Sequence, residues 1–75
     1  MKLPKMITDK LTKSGWRKEN DYNWTKEGVL LSIYRSSMRN MYKVGYETVN
    51  TSGNDLVHID RLNRIIEGEE KPNVR

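Results

Sequence analysis

The chain has 75 residues, no cysteine and a single histidine, and this length corresponds to one small domain. Without cysteine it has neither disulfides nor thiolate zinc sites, so its stability must come from a compact core, from self-association or from a partner. The formal net charge is +4, and this basic balance favours a partner that is polyanionic or has an acidic surface.

A short amphipathic helix is predicted over residues 4–13. Leu3, Ile7 and Leu11 recur at helical spacing and would form its buried stripe. Gly15 follows as a residue that typically ends a helix. We therefore expect the domain to begin with a helix that packs through one face.

From Trp16 onward the apolar residues recur with a period of two, which is typical of strands. The strongest pattern places Val29, Leu31 and Ile33 on the inward face of one strand. Turn-forming residues separate this strand from its neighbours. The predicted strands are residues 22–25, 29–35, 41–49 and 56–59.

The C-terminal part of the chain allows two interpretations. Residues 50–55 are rich in Asn, Ser and Gly and are predicted to form a turn before the last strand. Asp60 is then expected to cap a helix over residues 61–67 that ends at Gly68. The alternative begins this helix at Asn54 and omits the last strand.

Together these elements predict a small single α+β domain with the order α-β-β-β-β-α. Its antiparallel meander sheet would be packed by two short helices on one face, and the other face would remain in contact with water. The domain is expected to span residues 1–68, followed by a charged C-terminal tail over residues 69–75.

The sequence gives no sign of a membrane segment. No apolar run approaches the ~18 residues that a transmembrane helix needs. The first residues lack the apolar stretch of a signal peptide. We therefore expect a cytoplasmic protein that does not bind membranes.

His58 is the one ordinary candidate for a general base. Catalysis by histidine needs a group that orients the imidazole and a group that the imidazole activates. Asp55 and Asp60 are near in sequence, but His58 lies among apolar residues of core character. We therefore expect a packing or surface role, and a non-enzymatic protein without metal or cofactor.

Six basic residues could contact phosphates if the fold brings them together. They lie near the start of the sheet, around the loop that follows residue 35, and on the next strand. The set comprises Lys13, Arg17, Lys18, Arg35, Arg39 and Lys43. It supports the alternative prediction of a nucleic-acid-binding accessory protein that grips phosphates through a basic sheet face or loop.

Several apolar side chains are candidates for contact with a protein. Leu30 and Tyr34 lie on the strand face opposite the inward residues, and Trp16 lies beside two basic residues. Tyr22 and Trp24 are two residues apart and are expected to share one face. The predicted partner-binding set is Trp16, Leu30, Tyr34, Arg35 and Arg39.

These features favour a small protein-binding regulator or inhibitor, of the kind that mobile elements and phages encode as anti-defence or host-takeover factors. Nucleic acid is the alternative partner, and a homodimer is compatible with the small size. The fold distinguishes a protein partner from a nucleic-acid partner. Basic residues gathered on a face free of carboxylates would favour nucleic acid, whereas exposed Leu30 and Tyr34 among scattered charges would favour a protein interface.

Overall fold

The computed structural model describes residues 3–72, which form a helix, a five-stranded antiparallel sheet and a second helix. The strands follow one another in chain order, so the sheet is a meander. The elements are α1 (Lys5–Lys13), β1 (Arg17–Lys18), β2 (Asn23–Lys26), β3 (Val29–Arg35), β4 (Met41–Glu47), β5 (Ser52–His58) and α2 (Ile59–Glu67). The predicted α+β fold is confirmed, and the structure adds β1 as a short strand at one edge of the sheet.

Both helices pack on the same face of the sheet and enclose one apolar core. The predicted inward positions Leu31 and Ile33 are fully buried there, and Val29 packs against them as a half-buried residue. Burial of apolar area is the main force that holds such a small domain together. The buried residues are Leu3, Ile7, Leu11, Trp16, Trp24, Leu31, Ile33, Tyr42, Val44, Val57, Leu62, Ile65 and Ile66.

The last strand is longer than the sequence predicted. The turn before it closes at Thr48 and Thr51, where the Thr48 N–H donates to the Thr51 carbonyl at 2.8 Å. The Thr48 hydroxyl also accepts a hydrogen bond from the Thr51 N–H at 3.1 Å. Because the turn closes this early, β5 pairs with β4 from Ser52 onward. The prediction of a turn over residues 50–55 is therefore wrong beyond Thr51.

α2 begins at Ile59, directly after β5. Its N-cap is His58, whose Nδ1 accepts a hydrogen bond from the Asp60 N–H at 3.2 Å. Asp60 is therefore not the N-cap, and the alternative helix start at Asn54 is wrong, because pairing with β4 continues as far as His58. Gly68 has a φ of 84° and ends α2 as predicted.

After α2 the chain folds back along the helix. Glu70 accepts hydrogen bonds from Arg64 and from Arg61 Nε, the latter at 3.2 Å. Arg61 Nη2 also donates to the Lys71 carbonyl at 3.3 Å. The hydrogen bond from Arg64 holds the pKa of Glu70 below its ordinary value. Residues 73–75 of the predicted tail lie outside the described residues.

Candidate functional site

The face of the sheet opposite the two helices is not covered by any element among residues 3–72. Because paired residues of an antiparallel sheet point to the same face, the register assigns the side chains of this face row by row. We call this surface the open face. Its rows are Arg17, Thr25, Leu30, Glu47 and Ser52; Asn23, Ser32, Gly45 and Asn54; Tyr34, Lys43 and Leu56; and Met41 with His58.

Two large apolar side chains lie exposed in one row of the open face. Tyr34 is 44% exposed and Leu56 is 42% exposed. Lys43 on β4 lies between Tyr34 on β3 and Leu56 on β5. Leu30 is on the same face and is half-buried. Leu30 and Tyr34 thus lie opposite the core, as the alternation of the strand predicted.

A second tyrosine extends this aromatic surface. The rings of Tyr22 and Tyr34 are stacked, with centroids 4.9 Å apart and planes inclined by 21°. The prediction that Tyr22 shares a face with the buried Trp24 is therefore wrong. The Asn20 side chain accepts hydrogen bonds from the N–H groups of Tyr22 and Asn23, and this local turn takes Tyr22 out of the strand. A cavity of about 460 Å³ beside the stack is lined by Tyr22, Tyr34, Arg35, Ser36 and Ser37.

The row of Asn23, Ser32, Gly45 and Asn54 is polar, and Gly45 within it has no side chain. Ser32 Oγ donates to Asn23 Oδ1 at 2.7 Å. Gly45 follows in the row, and the side chain of Asn54 closes it on β5. This row separates Leu30 from the row that contains Tyr34.

Trp16 does not belong to this surface. It is only 9% exposed, and its Nε1 donates a hydrogen bond to the Ile66 carbonyl at 2.9 Å. The ammonium group of Lys26 lies 5.9 Å from the centre of its ring. Trp16 is therefore not available for the partner contact that the sequence predicted, because the indole fills the core between the sheet and the end of α2.

Three of the six predicted basic residues lie apart from the exposed tyrosine. Lys13 is in the last turn of α1. The Arg17 Nε is 3.9 Å from the Glu19 carboxylate, and the Lys18 Nζ is 3.5 Å from the Asp21 carboxylate. Two of these three cations therefore lie beside an acidic side chain.

The other three cations are not on one surface. Lys43 lies on the open face as the cross-strand partner of Tyr34, and Arg39 lies in the hairpin loop between β3 and β4. Arg35 ends β3 and pairs with the buried Tyr42, so it belongs to the opposite face of the sheet. All three are exposed. The six residues therefore do not form one basic patch free of carboxylates.

His58 has a structural role in capping α2. Its Nδ1 faces the Asp60 N–H, and the Asp60 carboxylate lies 3.5 Å from the same nitrogen. Asp55 accepts a hydrogen bond from Arg61 at 2.8 Å on the other side of the strand. The part of the chain that the structure describes contains no group of three or more His, Asp or Glu side chains that could hold a metal ion.

Leu56 is a member of the open face that the sequence did not predict. It lies next to Val57, which is buried, and both were assigned to a short segment of core character. The register with β4 pairs Val57 with the buried Tyr42 and Leu56 with the exposed Lys43, so Val57 lies inward and Leu56 outward. The missing information was this register, which a local pattern does not report.

In comparisons with known proteins, no family model, no curated protein and no solved structure matches this chain. Among residues 3–72, neither helix is long and apolar enough to cross a membrane. Function is therefore inferred from the chemistry of the open face.

Proposed function

We propose that the protein is a non-enzymatic binding protein whose open face contacts a protein partner. The observation that carries this proposal is the exposure of Tyr34 and Leu56 in one row of an uncovered sheet face. The wet face of an antiparallel sheet is ordinarily polar. Large apolar side chains that are exposed together and surrounded by polar groups are typical of interaction sites.

The charges around this row favour a partner with an acidic surface. Lys43 lies within the row, and Arg39 lies in the hairpin loop that joins the strands of Tyr34 and Lys43. Complementary charge steers a partner to such a surface and fixes its orientation more than it adds affinity. A small chain with this surface would act as a regulator or inhibitor by covering part of its partner. An anti-defence or host-takeover role remains a prediction.

The test compares single variants of the full chain. Tyr34→Ala and Leu56→Ser remove the exposed apolar groups, and Met6→Ser is the matched control, because Met6 is 78% exposed on α1 in the helix layer. Circular dichroism and urea unfolding first establish that each variant folds. A protein captured from a lysate of the source cells is then purified and titrated against each variant by calorimetry.

We expect Tyr34→Ala and Leu56→Ser to weaken binding by about tenfold or more, as substitutions in the centre of an interface do. Met6→Ser should bind like the unchanged chain. Equal affinities for all four proteins would contradict the proposal, and so would a loss of binding with Met6→Ser alone.

Nucleic acid is the second candidate, and one observation favours it. The stacked Tyr22 and Tyr34 lie at the same end of the sheet as Arg35, Arg39 and Lys43, and such sites can stack bases and grip phosphates. Fluorescence anisotropy with labelled single-stranded DNA, duplex DNA and RNA tests it. Micromolar binding that weakens steeply with salt and is lost in Arg39→Ala would establish this function in place of protein binding.

A further inference from the structure

The hairpin that β3 and β4 form carries positive charge without carboxylates. Residues 28–46 contain Arg35, Arg39 and Lys43 and no Asp or Glu. Arg39 is exposed in the loop of this hairpin, and its side chain has neither an ion pair nor a hydrogen bond among residues 3–72. Its guanidinium is therefore available to an anion from outside the chain.

The loop is held in one conformation by its own hydrogen bonds. The Ser36 hydroxyl accepts a hydrogen bond from the Met38 N–H at 3.0 Å, and the Met38 carbonyl accepts one from the Met41 N–H at 3.2 Å. The Asn40 carbonyl accepts from the Ile59 N–H at 2.8 Å, which connects the loop to the start of α2. A loop that is ordered before binding loses little conformational freedom when a ligand arrives.

Two cavities adjoin at the point where β3 ends. The first, of about 460 Å³, has the stacked Tyr22 and Tyr34 in its wall. The second, of about 350 Å³, is lined by residues 35–42, and its wall therefore includes both Arg35 and Arg39. Residues 35–37 line both cavities. Cavities of this size accommodate small ligands.

The two cavities offer different chemistry. Tyr34 lies on the open face, whereas Arg35 pairs with the buried Tyr42 and lies on the opposite face of the sheet. The exposed ring of Tyr34 can stack on a planar ring. Arginine binds phosphate oxygens through paired N–H donors, and the exposed Ser37 hydroxyl, which has no hydrogen-bond partner among residues 3–72, can donate to the same group. A ligand that fills both cavities therefore needs a planar ring and a phosphate joined by a spacer that crosses the end of β3.

A nucleotide has these three parts. We propose that the two cavities form a binding site for a nucleoside monophosphate. The base stacks on Tyr34, the sugar crosses the end of β3, and Arg35 and Arg39 bind the phosphate. The site suits one nucleotide rather than a strand, because Arg17 and Lys18 of β1 each lie beside a carboxylate and do not extend the basic loop towards further phosphates.

Calorimetry with the full chain tests this site against fragments of the ligand. The probes are adenosine monophosphate, uridine monophosphate, adenosine without phosphate, ribose 5-phosphate without a base, and a short single-stranded oligoadenylate. Adenosine and ribose 5-phosphate should each bind at least about tenfold more weakly than the monophosphate that binds best. In the ¹⁵N-labelled chain, that monophosphate should shift the NMR amide signals of Tyr34, Ser37 and Arg39.

Four variants locate the site on the molecule. Arg39→Gln and Tyr34→Ala should each lower the affinity for that monophosphate by about tenfold or more. Lys13→Gln is the matched control, because Lys13 is an exposed cation of α1 without an ion pair among residues 3–72, and its affinity should not change. Leu56→Ser should also bind the monophosphate normally while it weakens the protein partner, so the two proposals can fail separately. Circular dichroism establishes that each variant is folded.

Several results would overturn the proposal. An affinity for adenosine equal to that for adenosine monophosphate would show that the phosphate is not recognised, and equal affinity for ribose 5-phosphate would show that the base is not. An equal loss in Lys13→Gln would reduce the effect to net charge. The absence of binding by both monophosphates also counts against the site. Oligoadenylate that binds more than about tenfold tighter than adenosine monophosphate would contradict the single-nucleotide site in favour of nucleic-acid binding.

Discussion

The two tryptophans provide a sharp test of what holds the core together. Both are buried, at 9% exposure for Trp16 and 2% for Trp24. Trp16 Nε1 donates to the Ile66 carbonyl at 2.9 Å, whereas Trp24 Nε1 has no hydrogen-bond partner among residues 3–72. Replacing each in turn with phenylalanine keeps an aromatic ring in the core and removes one indole N–H.

The two substitutions should differ in their effect on the free energy of unfolding. Ile66 lies in the last turn of α2, where the helix offers no backbone donor to its carbonyl. Trp16→Phe leaves this buried carbonyl unpaired, which costs about 1–3 kcal/mol beyond the loss of packing. Trp24→Phe removes a buried donor that has no acceptor, so part of its packing loss is offset. We therefore expect Trp16→Phe to be more destabilising by at least about 1–3 kcal/mol.

Urea unfolding followed by far-ultraviolet circular dichroism measures this difference, since the substitutions themselves change tryptophan fluorescence. For a domain of this size each 1 kcal/mol corresponds to about 4–8 °C in Tm, so thermal unfolding provides a second reading. Equal destabilisation by the two variants would refute the reasoning, because the hydrogen bond would then contribute nothing. A larger loss for Trp24→Phe would refute it more strongly.

Three further substitutions test other parts of the structure. Leu62→Ala removes a fully buried side chain of α2 and should lower the unfolding free energy by about 2–5 kcal/mol in urea. Gly45→Ala should raise it by about 0.5–1 kcal/mol, since alanine is favoured over glycine within a strand, and destabilisation would mean that Ser32 cannot accommodate the methyl group. The pKa of Glu70 is lowered in the folded chain. Its ionised carboxylate therefore stabilises the fold above pH 4.5, the ordinary pKa, and this stabilisation is lost as pH falls through the lowered pKa. The free energy of unfolding should therefore fall less at acidic pH in Glu70→Gln than in the unchanged chain. An identical fall in both proteins would contradict the Glu70–Arg64 interaction.

The central strands could be predicted from the sequence because their side chains obey one simple rule. β3 and β4 each bury one face and leave the other exposed, so apolar and polar residues alternate along them. The same rule placed Leu30 and Tyr34 opposite the core. Gly68 ended α2 as predicted, because a left-handed residue at this position favours glycine.

β5 could not be predicted in the same way, because its first residues have the composition of a turn. Gly53 and Asn54 are depleted in strands, yet here they pair with Tyr46 and Gly45 of β4. The pairing partner, rather than local propensity, decides the structure of this segment. Leu56 on the open face was missed for the same reason.

Trp16 was misplaced for a different reason. It follows Gly15, whose φ of 93° reverses the direction of the chain after α1. Neither the helical period nor the strand period applies across such a residue. The acceptor of its N–H lies 50 residues away at Ile66, and no local pattern reports a contact of that range.

Two energetically unfavourable features of this fold lie on the open face. Gly45 weakens the middle of a strand, and Tyr34 and Leu56 leave apolar area in water on the same surface. The buried N–H of Trp24 is also unfavourable, but it lies in the core where no partner can reach it. A partner that covers the open face would remove Tyr34 and Leu56 from water. Because such a partner would bind only the folded chain, it would also raise the free energy of unfolding.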